Sequence, residues 1–165
     1  GVNVTTGINF PDAGTGTSAD VNTLDAYEEG TWTPEITDGT DDAQMGGNNA
    51  GSYTKIGNLV AIQARVETTD LTGDGSPTSG EVNGNISIKG LPFANGSGNR
   101  EASVHFGGGG GLNITAGENL TGAIDNSSTT IYMRVWDETG GTGNMQASEW
   151  TDDGSVFLSA TYHAA

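Results

Sequence analysis

The chain has 165 residues, enough for one domain with its own core. Asp and Glu number 21 against 5 Lys and Arg, a formal charge of -16. So few cations cannot cluster along a phosphate backbone or an anionic membrane, which argues against nucleic acid and lipid surfaces as partners.

Cysteine is absent, which removes disulfides, thiolate metal sites and cysteine nucleophiles. No apolar run approaches the roughly 20 residues of a membrane-spanning helix. No segment has the pattern of a signal peptide. The first residue is Gly1, as expected of a processed chain or of the end piece of a longer polypeptide. The acidic excess most simply serves solubility; a sharper use would be to collect divalent cations or to suit a salty medium.

Hydrophobic residues make up 33% of the chain, and there are 28 glycines. The apolar residues alternate instead of scattering, which favours many short strands over disorder. Gly1 to Phe10 comes first, with Val2, Val4, Ile8 and Phe10 on one parity until Pro11. Residues 12–21 form a polar connector. Asn22 to Gly30 reads as one helical turn, capped by Asn22 and ended by Gly30. Thr31 to Ile36 reads as a strand interrupted by Pro34, and Thr37 to Ala50 as an acidic, Gly-rich loop.

The clearest signal is Gly51 to Glu67, two strands joined at Gly57-Asn58. Val60, Ile62, Ala64 and Val66 share one face; Ala61, Gln63, Arg65 and Glu67 share the other. Gly-Asn suits a tight hairpin turn. Asp70 to Gly80 is a second acidic loop, and Val82, Ile86 and Ile88 mark the next strand. Ala102, Val104 and Phe106 alternate, then Gly107 to Gly111 reads as a flexible or close-approach loop. Leu112 with Ile114, and Leu120 with Ile124, suggest two short strands. Thr129 to Trp136 puts Ile131, Met133 and Val135 opposite Tyr132, Arg134 and Trp136. Ser155 to His163 ends the chain with Val156, Leu158, Ala160 and Tyr162 on one face. Roughly nine to eleven antiparallel strands follow, the spacing of an all-β sandwich or barrel.

Four segments together resemble the C-terminal head domain of bacteriophage tail-fibre proteins. They are Asn22 to Pro34 (NTLDAYEEGTWTP), Ser52 to Val60 (SYTKIGNLV), Ile88 to Phe93 (IKGLPF) and Phe157 to His163 (FLSATYH). The resemblance implies an antiparallel, jelly-roll-like β-sandwich head over residues 22–165. It implies an extended stem over residues 1–21, in which three copies of the chain wind together as a homotrimer. It further implies a virion location and attachment to a bacterial surface glycan or outer-membrane protein. The N-terminal end would face other virion proteins. A purely structural virion module, such as a capsid-mounted fibre or decoration protein, is the alternative.

No catalytic constellation stands out. No Gly-x-Ser-x-Gly elbow occurs, and His105 and His163 sit on separate strands as surface or interface residues. With so many acids, two will approach glycosidase spacing by chance, so their number argues for no enzyme. Asp38, Asp41 and Asp42, then Asp70 and Asp74, then Asp152 and Asp153 form three acidic groups. None has the full calcium-loop pattern, so solvated loops are expected and neither metal nor cofactor is assigned. Sequons at Asn3, Asn85, Asn95, Asn113, Asn119 and Asn126 arise readily in a chain so rich in Asn, Ser and Thr. Tyr132, Trp136 and Trp150 are the candidate receptor-binding residues, because exposed aromatics stack on sugar C–H faces. They would otherwise fill a subunit interface. Trp32 is assigned to packing.

Burying Val2, Val4, Ile8 and Phe10 between copies would contribute roughly 1.5–3 kcal/mol for each large side chain. Removing Gly1 to Phe10 should therefore weaken assembly, seen as a lower mass by light scattering at micromolar concentration. A truncated chain that keeps its full oligomeric mass would contradict this role.

Overall fold

The computed structural model describes residues 27–76, 79–98 and 100–165. The expected stem, residues 1–21, and the first half of the expected helical turn lie outside these residues. Eleven strands form among the described residues. They are β1 (Tyr27–Trp32), β2 (Glu35–Thr37), β3 (Gln44–Met45), β4 (Ala50–Ile56), β5 (Leu59–Asp70), β6 (Ser87–Lys89), β7 (Ala102–Leu112), β8 (Leu120–Ile124), β9 (Ile131–Glu138), β10 (Gly141–Asn144) and β11 (Trp150–His163). A 3₁₀ turn at Ala147–Glu149 precedes β11.

All the pairings are antiparallel, and the strands join in the order β1-β4-β5-β11-β7-β8-β9-β6-β2. Strand β10 adds to β9, and β3 to β5. β1 and β2 stand at opposite ends of this path, yet only Thr33 and Pro34 separate them. Laid flat, nine strands about 4.8 Å apart would span roughly 38 Å. Three peptide steps reach at most about 11 Å. The sheet therefore curls until its two ends meet. Pro34 lacks the N–H that would carry the ladder on, so β1 stops and the chain restarts on the far edge. The junction is clamped on both sides. Asn49 Nδ2 donates to the Pro34 carbonyl at 2.6 Å. Gly90, at φ +94°, admits the Thr33 carbonyl to 2.4 Å from where a Cβ would sit.

Two walls make the core. Ile36 pairs with Ile88, Ile88 with Ile131, and Ile131 with Ile124, and all four are fully buried. Against them stand the inner faces of β5 and β11, with Val66 opposite Val156, Ala64 opposite Leu158 and Val60 opposite Tyr162. Period-two alternation in these strands is what delivers one continuous apolar lining. The hairpin turn falls at Gly57-Asn58 as read, with Gly57 at φ +59° and Asn58 at negative φ. That is the II′ arrangement favoured by strand twist.

Two buried polar groups close the chain's end. Tyr162 donates its hydroxyl to the Phe93 carbonyl at 2.9 Å, and burial pushes its pKa up to about 12. Asn95 is buried, and its amide donates to the carbonyls of Arg100, Ile124 and Asp125. Its sequon is thus spent on structure.

Four expectations are corrected. Residues 27–30 are not helical; they pair with β4 from Tyr27 opposite Ile56 to Trp32 opposite Gly51. One isolated turn cannot repay helix nucleation when an open strand edge offers a full ladder. Gly107 to Gly111 is strand, not loop, with Gly108 opposite Phe157 and Gly110 opposite Ser155. Close approach is real there: a Cβ on Gly109 would lie 2.6 Å from the Ser155 carbonyl. Leu112 ends β7, and Ile114 lies in the following loop instead of forming its own strand. Val82 and Ile86 are buried but precede β6, whose ladder spans three residues.

Glycine also makes room for rings. Gly51 lies beneath the Trp32 indole, Gly30 beneath the Tyr53 ring, and Gly154 beneath the Trp150 indole. Aromatic cover of this kind restores packing that glycine lacks.

Gly90→Ala should cost about 1–3 kcal/mol, combining positive-φ strain with displacement of the Thr33 carbonyl. Gly57→Ala, at a turn with open space around it, should cost less. Urea unfolding of both variants checks the order; equal midpoints would show that the Thr33–Pro34 junction does not constrain the fold.

Candidate functional site

Strand β9 presents Ile131, Met133 and Val135 to the core and Tyr132, Arg134 and Trp136 outward. Tyr132 stands opposite Ser87 of β6, and Ser87 opposite Thr37 of β2. These three define one row on the outer surface. The loop at residues 38–42 then folds over the β2 end of that row. Thr37 Oγ1 donates to the Asp41 carbonyl at 2.9 Å, which buries Thr37 and lifts the loop into a wall.

The wall is held by carboxylates. Asp38 Oδ1 accepts the N–H groups of Thr40 and Asp41, each at 2.8 Å, and Oδ2 accepts that of Asn83 at 3.0 Å. Burial works against the Asp38 charge, but these backbone donors outweigh it and hold the carboxyl below its usual range. Asp41 accepts the Gly80 N–H. At the far end Lys89 reaches Asp42 at 2.6 Å and Glu35 at 3.2 Å. Desolvation works against the ammonium, yet its two carboxylate partners raise its pKa above the ordinary value.

The result is a groove of about 650 Å³ over β9, β6 and β2. Its walls carry Tyr132, the carboxylates of Asp38 and Asp42, the amides of Asn85 and Asn144, and the hydroxyls of Ser87, Thr129 and Thr130. One aromatic ring beside many fixed acceptors and donors is the chemistry that matches a polyhydroxylated ligand: C–H faces stack, and hydroxyls find partners. Asp38, held ionised, serves as an acceptor and not as a proton donor.

The three sequence candidates part company here. Tyr132 lines the groove. Trp136 lies on the same face four residues further, about 13 Å along the strand. It is 58% exposed but does not line the groove. Trp150 is corrected: only 2% of it is exposed, and its Nε1–H donates to Thr68 Oγ1 at 2.8 Å. The reason is parity. Trp150 shares the inward side of β11 with Gly154, Val156 and Leu158. Carrying the alternation back from Ser155 would have shown this in the sequence.

His105 and His163 are both exposed, opposite Ser159 and Leu59 respectively, so they do not meet as a pair. The other acidic groups serve their own turns: Asp70 accepts from Thr72, Asp74 from Ser76, and Asp152 from Leu71. No group of three His, Asp or Glu residues converges among the described residues. Lys89, Asn85 and Asn144 were missed because the groove draws on four separated segments. Lys89 was visible only as one of five cations, within the Ile88 to Phe93 block.

No protein-family model and no curated protein matches the chain. Its fold, however, is similar to part of the Dettilon tailspike protein, seen in a crystal structure. The TM-score is 0.68 at 15% identity, over 84% of this chain and 24% of that one. The likeness is one of fold, and this chain spans about a quarter of the tailspike's length. The architecture is thus an antiparallel, curled all-β sheet of the kind found in a phage tailspike.

Trp150→Phe should lower stability by about 1–3 kcal/mol, since it removes the buried bond that Thr68 Oγ1 accepts, leaving only the one it donates to the Gly154 carbonyl, and opens a void over Gly154. Urea unfolding measures this, and binding to cells should be unchanged. Normal stability with lost binding would return Trp150 to the site.

Proposed function

We propose that this chain is the head of a bacteriophage fibre tip that attaches the virion to a host-surface glycan through the groove beside Tyr132. The observation that carries this is the groove itself: an exposed aromatic flanked by fixed carboxylates, amides and hydroxyls, on a fold shared with part of a tailspike. In this reading the curled sheet is a jelly-roll-like sandwich, and the head works as a homotrimer on a stem formed by residues 1–21. Three weak sites per tip, and several tips per particle, raise avidity without any single tight site. The groove binds and does not catalyse; it uses neither metal nor cofactor. An outer-membrane protein is the other receptor class that would fit a tip of this kind, and other virion proteins would join at the N-terminal end.

The test is binding of the fluorescently labelled full chain to candidate host cells, with and without periodate oxidation of their surface. Saturable binding that periodate abolishes supports a glycan receptor. Saturable binding that survives periodate points to a protein receptor instead. Tyr132→Ala should weaken binding about three- to tenfold, the worth of one stacked ring. Binding that is lost to periodate yet indifferent to Tyr132→Ala would place the site outside this groove. No binding at any concentration would favour a structural virion module without a receptor role.

A further inference from the structure

The acidic residues are distributed unevenly. Strands β4 and β7 contain none, β5 none before Glu67, and β11 none after Asp153. These four strands are neighbours in the sheet, in the order β4-β5-β11-β7. Their outer surface is therefore almost free of charge, in a chain that carries -16 overall.

Register fixes what that surface shows. Ser52, Gln63 and Ser159 form one cross-strand row, and Thr54, Ala61 and Thr161 the next. All are small or neutral, and Ala61, Gln63, Ser159 and Thr161 are exposed. Apolar side chains flank the rows. Tyr27, Ile56 and Leu59 lie across one end, and Phe157 at the other. These are four of the six large hydrophobics that remain exposed among the described residues. Charges stand at its margins: Glu29 on β1, Arg100 and Glu101 beside Thr161 just before β7, and Arg65, whose guanidinium lies over the Phe157 ring at 5.4 Å and reaches Glu67 at 3.1 Å.

We propose that this face is where copies of the chain meet one another. The inference rests on the oligomeric part of the reading above and assigns it a surface. Charge selects the occupant. A different protein drawn to a chain of this charge would be basic and would seat on carboxylates. A second copy carries the same negative charge, so it can approach only where carboxylates are missing. Hydrogen bonding points the same way. Hydroxyls and amides both donate and accept, so such a surface can pair with itself, whereas carboxylates only accept. The groove at Tyr132 lies over β9, β6 and β2, outside this face, and stays open when copies join here.

Light scattering on the full chain, coupled to size exclusion, tests this. Wild type should run as a multimer. Gln63→Glu and Thr161→Glu, each placing a carboxylate in the middle of the face, should shift it toward monomer and raise the dissociation constant at least about tenfold. Ala116→Glu, on the exposed loop between β7 and β8, should leave the mass unchanged. Two positions on different strands keep the test open should one variant fail to fold, which circular dichroism would show. A multimer unmoved by both face variants would overturn this surface while leaving the oligomeric reading intact. Equal dissociation by Ala116→Glu would also overturn it, because charge alone would then be responsible. A monomeric wild type would overturn both, and would leave the face to residues 1–26 of the same chain or to another protein.

Discussion

Thr33 and Pro34 set the constraint on which the rest of the structure depends. Two residues must join strands that stand at opposite ends of a nine-strand path. A flat sheet cannot satisfy that geometry, so the sheet curls, and curling is what encloses a core. The four-isoleucine row from Ile36 to Ile124 then finds the inner faces of β5 and β11 facing it. Asn49 and Gly90 hold the junction from two sides, one by a hydrogen bond and one by having no side chain. Such closure is non-local, because β2 pairs with β6, Ile36 opposite Ile88, across a long separation in sequence.

Curling also leaves two outer surfaces with different properties. Over β9, β6 and β2 the residue 38–42 loop rises and makes a groove with fixed carboxylates. Over β4, β5 and β11 the cross-strand rows are of small, neutral side chains, and the surface carries few charges. Many of the acids that give the chain its charge sit in the connections or at strand ends, where Asp38, Asp70 and Asp74 accept backbone N–H groups. Each carboxylate satisfies a turn locally. Together they set a long-range field that restricts which surfaces another negative body can reach.

Legibility followed burial. The Gly51 to Glu67 hairpin, the alternation around Ile131 and the final strand were readable because each buries one face against the core and leaves the other open. The helical reading of Asn22 to Gly30 failed over its described part because Tyr53 packs on Gly30 and β4 offers hydrogen bonds that a lone turn cannot match. The five-glycine run resembled a loop because glycine carries no periodicity. Its strand character comes from β11, not from itself. Tyr132 was identified correctly as outward-facing, but its groove partners come from segments far apart in sequence, so no local pattern could group them.

Period-two alternation, the Gly57 turn and the break at Pro34 are local properties of the chain, and they settle the all-β class and which face the long strands around Val60, Ile131 and Val156 bury. Composition likewise settles the sign of the field around the molecule. Strand order, the curl and the groove beside Tyr132 arise only from assembly. They depend on pairings between residues tens of positions apart, whose partners are chosen by geometry across the whole sheet and not by any short segment.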